Sequence, residues 1–166
     1  PINGIGHTTI NLNPDNTWEI LLKPETLSKI LPGCERLVVQ ENNLYVGKIK
    51  IGFGPIRGKY EFSVQLSDLI KPSEITLSGK ASGALGSAFG KGNIRLLPNK
   101  SEGTDLTYSY QVQISGKIAA VGGRFLNTAS KIIIKQFFEA LAKETSPHKK
   151  KFNILFYFFK LFGKTK

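Results

Sequence analysis

The side chains that could do chemistry in this sequence are few and scattered. Cys34 with His7 or His148 would form a nucleophile and base, but nothing in the sequence brings either histidine to it. Following Pro32-Gly33, Cys34 is expected to be a packed turn residue. A single cysteine excludes an intrachain disulfide, and two histidines are too few soft ligands for a zinc site. This suits a reducing compartment. Gly86-Ser87-Ala88-Phe89-Gly90-Lys91 is one residue short of a phosphate-binding loop, has Gly92 where Ser or Thr is needed, and precedes strand rather than helix. Gly52 to Gly58 misses the dinucleotide fingerprint in spacing and reads as a bend between strands. The acids fall in turns or on expected outer faces, so no acid–base pair can be named and the chain is read as a non-enzyme. Lys48, Lys50, Lys59 and Lys80 alternate with core positions, which makes them a solvated outer face and not a nucleic-acid surface.

Tyr60, Phe62, Tyr108, Tyr110 and Phe125 are of a different kind, because all five are expected on the inner side of the fold. An apolar wall with a few hydroxyl handles is what a lipophilic ligand with polar carbonyls requires. Plain core packing is the alternative for each residue taken alone.

The elements that must position them follow from periodicity. Lys117 to Glu144 has apolar residues at three- and four-residue spacing: Ile118, Val121, Phe125, Ala129, Ile132, Ile133, Phe137, Ala140 and Leu141, with Gln136 on the same stripe. This predicts one long amphipathic helix of about 40 Å. Before it, the period is two. Tyr45 to Phe53, Tyr60 to Ser67, Ile75 to Ala81 and Leu106 to Ile114 alternate apolar and polar residues, as half-buried antiparallel strands do. Ile2 to Leu12 is expected to be a first strand, with two short helices after it, one opened by Pro14 or Asp15 and ending at Leu22, the other from Pro24 to Leu31. Five glycines in Gly79 to Gly92 are expected to mark bulges, sharp bends or close backbone approaches in a curving sheet. The fold expected is therefore α+β: a helix-grip arrangement in which a curved antiparallel sheet of about six to seven strands wraps the long C-terminal helix, leaving room for a cavity between them.

The net charge of +11 is unevenly spread, with six lysines and no acid in residues 146–166. The sequence is thus divided into a body, 1–145, and a basic, aromatic tail, 146–166. No charged n-region with an apolar h-region opens the chain, and no 18-residue apolar run occurs. The chain begins at Pro1 without a methionine, from which removal of an upstream segment is expected. In the tail, Phe152 to Phe162 as a helix would reach about 16 Å, half the roughly 30 Å of a bilayer core. It is expected to lie in the membrane interface, with Phe152, Leu155, Phe156, Phe158, Phe159 and Phe162 buried and Lys149, Lys150 and Lys151 toward anionic head groups. Docking on its own domain or on a protein partner is the other destination for such a surface.

Leu31-Pro32-Gly33-Cys34-Glu35, Gly54-Pro55-Ile56-Arg57-Gly58, the Gly83-to-Gly92 run, Gly103-Thr104 with Tyr108, and Gly116-Lys117-Ile118-Ala119 leading through Gly122-Gly123-Arg124 to Phe137-Phe138 resemble the CoxG family of carbon monoxide dehydrogenase systems. The resemblance covers about residues 1–145. It implies the START-like helix-grip fold of lipid, steroid and aromatic-ligand binders, a non-catalytic role beside a molybdenum hydroxylase of the carbon monoxide dehydrogenase type, and peripheral attachment at the cytoplasmic face of the cell membrane. From it follows the expectation of a lipophilic small molecule in the cavity, menaquinone or another isoprenoid quinone, with no covalent cofactor and no metal. Tyr60, Tyr108 and Tyr110 are the candidates for its carbonyls, and Phe62, Phe89, Val121 and Phe125 for the apolar lining. Two other readings stand beside it: a ligand-free adaptor or assembly factor that recruits the dehydrogenase to the membrane, and a START-like cyclase or hydrolase.

Overall fold

A computed structural model describes residues 1–146. The tail lysines and aromatics from Lys149 to Phe162 lie outside the described residues.

The first strand, β1 (Ile2–Ile10), is followed by two short helices, α1 (Pro14–Leu21) and α2 (Pro24–Ile30). Each helix starts with proline, whose missing N–H costs nothing in the first turn. Asn13 caps α1 by accepting a 2.8 Å hydrogen bond from the Asn16 N–H. Six strands follow: β2 (Cys34–Gln40), β3 (Leu44–Ile51), β4 (Gly58–Ile70), β5 (Glu74–Gly83), β6 (Gly86–Pro98) and β7 (Thr104–Ser115). All are paired antiparallel in one sheet of order β1-β7-β6-β5-β4-β3-β2. The chain ends its sheet where it began, since β7 pairs with β1 from Ile2 opposite Val112 to Ile10 opposite Thr104.

The last element, α3 (Gly123–Glu144), packs across the inner face and over β1. It begins later than periodicity predicts. Lys117–Val121 is a short 3-10 turn, and Gly122 stands at φ +103°, a conformation that no continuing helix contains. Its 22 residues span about 33 Å rather than 40 Å. The buried stripe is also rotated from the expected one: Leu126, Ala129, Phe138 and Leu141 are buried, whereas Ile132 is on the exposed side with Gln136. Three consecutive isoleucines, Ile132 to Ile134, are compatible with either rotation, and the sheet selects the one that puts Ile133 and Ile134 inward.

In the glycine run, of the features expected, bulges are absent, while Gly83 and Gly86 are places of close backbone approach, to the carbonyls of Lys59 and Ser115. The β5–β6 register is unbroken from Glu74 opposite Arg95 to Gly83 opposite Gly86, without a bulge. Irregularities fall instead between Cys34 and Arg36 and between Ser67 and Ile70. Gly79 lies opposite Gly90, so at that level β5 and β6 put no side chain on the inner face between Val64 of β4 and Val112 of β7.

The main core joins Ile10, Leu21, Ile75, Leu96, Leu106 and Leu141, each at most 2% exposed. A smaller cluster around Ile56, Leu126 and Ala129 closes the other end, and there Ile118 and Phe125 pack. No helix among the described residues is long and apolar enough to cross a membrane.

Candidate functional site

The space that the sheet and α3 leave between them is positioned by two hydrogen-bonded joints. Thr17 on α1 and Thr104 on β7, both fully buried, lie 3.2 Å apart oxygen to oxygen, and the Thr104 hydroxyl donates to the Leu12 carbonyl at 2.7 Å. This fixes α1 against the sheet without an unpaired buried hydroxyl. The Tyr45 hydroxyl on β3 donates to the Leu22 carbonyl at 2.7 Å, holding the end of α1 over the opposite half of the sheet. The consequence is a cavity of about 280 Å³ between the α1–α2 pair, the inner face of the sheet and α3.

Its walls come from every layer. The short helices and the turn after them give Leu21, Leu22, Leu27, Leu31 and Pro32. The sheet gives Leu37, Tyr45, Phe62, Val64, Leu66, Ile75, Leu77, Gly92, Ile94, Tyr108 and Tyr110. Ile133, Ile134, Phe137 and Phe138 of α3 complete it. The lining is almost wholly apolar, and its volume lies near the lower end of the roughly 300–1,000 Å³ usual for small-molecule sites.

Of the residues singled out in the sequence, the structure brings Phe62, Tyr108 and Tyr110 together on this wall. Tyr60 is also buried on the inner face, but its hydroxyl donates to the Ile56 carbonyl at 2.7 Å and it is not part of the lining. Phe125 packs into the smaller cluster around Ile56. Val121, in the 3-10 turn, is not in the lining either. Phe89 is corrected outright: Ala88 and Gly90 flank it on the inner side, so alternation turns it to the outer face, where it is 40% exposed. The lining residues that the sequence did not single out include the leucines of the short helices and of the positions just after them, Leu21, Leu22, Leu27 and Leu31. Their three- and four-residue spacing, Leu27 with Leu31 and Ile30, is the signal that marks them as an inward-facing roof.

Tyr108 and Tyr110 carry the polar groups of interest. Tyr108 stacks on Phe138 with ring centroids 4.1 Å apart and planes 10° apart, and Tyr110 lies 6.4 Å further along β7 at 16°. Unlike those of Tyr45 and Tyr60, neither hydroxyl has a hydrogen-bond partner among the described residues. Burial pushes both phenols above their ordinary range, helped by Glu139 for Tyr108 and by Tyr108 for Tyr110. Both therefore remain protonated donors at physiological pH.

The pairing of Cys34 with His7 finds no support in the geometry, and His148 lies outside the described residues. Cys34 is on β2 and His7 on β1, at opposite edges of the sheet. Burial raises the Cys34 thiol, which donates to the Arg36 carbonyl at 3.5 Å. Among the described residues no group of three or more His, Cys, Asp or Glu side chains is placed to hold a metal ion.

Similar proteins agree with this architecture. A conserved protein from Geobacillus kaustophilus is 32% identical with a TM-score of 0.82, over 87% of this chain and 95% of that one. A Chromobacterium violaceum protein is 19% identical at a TM-score of 0.67, over 89% and 99% of the two chains. A START superfamily protein from Mycobacterium smegmatis, at 8% identity and a TM-score of 0.67, covers 87% of this chain and is itself covered to 97%. A search of curated proteins finds no match. The fold is thus the START-like helix grip, a fold whose members generally bind ligands rather than catalyse. With the family model for the CoxG subunit of carbon monoxide dehydrogenase matching residues 6–146, the chain belongs to the CoxG family.

Proposed function

We propose that this protein is a non-catalytic, membrane-associated carrier of an isoprenoid quinone, linking a molybdenum hydroxylase of the carbon monoxide dehydrogenase type to the electron-transport chain at the cytoplasmic face of the membrane. The observation that carries the reading is the apolar cavity with two unengaged tyrosine hydroxyls on one wall. A quinone has one polar, carbonyl-bearing ring and a long hydrocarbon tail, and needs few donors in an otherwise apolar site. The family name supplies the dehydrogenase as partner. An oxidoreductase in water must pass electrons to an acceptor dissolved in lipid, and a protein that holds such an acceptor at the membrane surface spans that gap. At about 280 Å³ the cavity takes the ring and the first part of its tail, so the remaining tail lies outside it in this reading.

Trp18, the sole tryptophan, is buried in the same core cluster as the cavity-lining Leu21 and Phe138, and so serves as a reporter for the cavity. Titration with a short-chain menaquinone should quench its fluorescence saturably at one ligand per chain. Absence of saturable quenching, with no lipophile extracted from protein made in its own host, would sink the quinone reading and favour an adaptor that recruits the dehydrogenase without a ligand.

A further inference from the structure

The inner face of β1 carries Gly4 and Gly6 directly opposite Tyr110 and Tyr108 of β7. The two rings lean across the strand gap and lie against those glycines. A Cβ atom on Gly4 would stand 2.2 Å from Cζ and Oη of Tyr110, and one on Gly6 would stand 2.2 Å from Oη of Tyr108. No side chain fits at either position while the rings stay where they are. On its other flank Tyr110 faces Gly92 of β6, which lines the cavity, while Tyr108 faces Ile94. Tyr108 is further held by its stack on Phe138. Tyr110 therefore has two neighbours without side chains, one over which its ring rests and one over which the ligand space opens.

We infer that Gly4 is a specificity-determining position: it parks the Tyr110 ring on β1 and so sets the size of the cavity, with Gly6 doing the same for the clamped Tyr108. A side chain at position 4 evicts the ring. Its other cross-strand neighbour, Gly92, leaves it that direction, where a phenol ring set against Leu77 would take up much of a space of about 280 Å³. The cavity then admits only smaller apolar molecules. This rests on the carrier reading in one respect, that the space is a ligand site.

The test uses Gly4→Ala, Gly4→Ala/Tyr110→Ala and the full chain as reference, with 1-aminoanthracene as fluorescent probe, thermal unfolding as a control, and a crystal structure of Gly4→Ala. Gly4→Ala should bind the probe at least tenfold more weakly while remaining folded, the double variant should regain at least threefold of that loss, and the Tyr110 ring should lie over Gly92. Probe affinity within twofold of the reference in Gly4→Ala, or no recovery in a folded double variant, overturns the inference. If the unaltered chain takes up neither the probe nor a short-chain menaquinone, the carrier reading fails, and the ring position in Gly4→Ala still decides this one. Should Gly4→Ala not fold, Tyr110→Ala supplies the answer. Emptying the berth should raise its preference for the bulkier N-phenyl-1-naphthylamine over 1-aminoanthracene at least threefold, and an unchanged ratio overturns the proposal.

Discussion

Removing one oxygen from the cavity wall separates recognition from packing. Tyr110→Phe keeps the ring against Gly4 and deletes only a hydroxyl with no hydrogen-bond partner among the described residues, so its thermal unfolding should match the parent within about 0.5 kcal/mol. Quinone affinity should fall roughly tenfold, the worth of one lost hydrogen bond of about 1.4 kcal/mol, read by Trp18 quenching. Equal affinity would remove the hydroxyl from ligand recognition. The raised phenols also fix a pH dependence. Above the ordinary value of 10.0 the unfolded chain releases tyrosine protons that the native chain keeps, so stability is full below that pH and declines as pH rises toward the folded-state values. The double variant Tyr108→Phe/Tyr110→Phe should lose less stability than the parent as pH rises above 10.0 in thermal scans, and an identical decline would show that these phenols do not set it. At this scale the sequence was legible only up to strand parity and hydrogen-bond destination. Alternation placed Tyr108 and Tyr110 on the inner face correctly, and the same alternation applied to β6 puts Phe89 outside. That the Tyr60 hydroxyl is spent on the Ile56 carbonyl depends on a 3-10 turn at Gly54–Ile56, whose shape no side-chain pattern encodes.

The helix α3 is the element on which the cavity depends, since it supplies the lid of aromatic residues over β7. Phe138 stacks on Tyr108 and meets Phe137 edge-on at 5.0 Å. Phe138→Ala should cost about 3–5 kcal/mol by chemical denaturation, and a loss below about 1 kcal/mol would mean that the helix is not anchored there. The start of the helix is as specific. Gly122 at φ +103° turns the chain from the 3-10 segment into α3, so Gly122→Ala should destabilise by about 1–2 kcal/mol through backbone strain alone, since open space surrounds its would-be Cβ. A neutral substitution would contradict that conformation. Strands and short helices were readable because period two and proline-initiated turns are local signals. The first residue of α3 was not, because Ile118 and Val121 continue the apolar spacing while Gly122 breaks the backbone. Nor was its rotation, which three adjacent isoleucines leave open until a sheet is there to choose.

For the whole molecule, body and tail carry different parts of the proposed function. The cavity belongs to the body, 1–145, and the proposal gives the basic, aromatic tail, 146–166, the membrane. A chain ending at Ser146 should keep quinone binding within about twofold and lose flotation with anionic liposomes, the loss of several lysines near such a surface at about 1 kcal/mol each being enough to abolish it. Flotation undiminished by the truncation would move membrane contact to the body. The α+β architecture was legible from its alternating strands and single long amphipathic segment. The cavity was not, because a void is a property of how α1, α2 and α3 stand off from the sheet, and that distance is written in Thr17, Thr104 and Tyr45 as tertiary hydrogen bonds rather than in any pattern along the chain. The decisive measurement is native mass spectrometry of the full chain purified from its own host, followed by solvent extraction of whatever it releases. A stoichiometric isoprenoid quinone is the expected result. A protein that is empty in the spectrometer and yields no lipophile on extraction would mean that the cavity is not a quinone site.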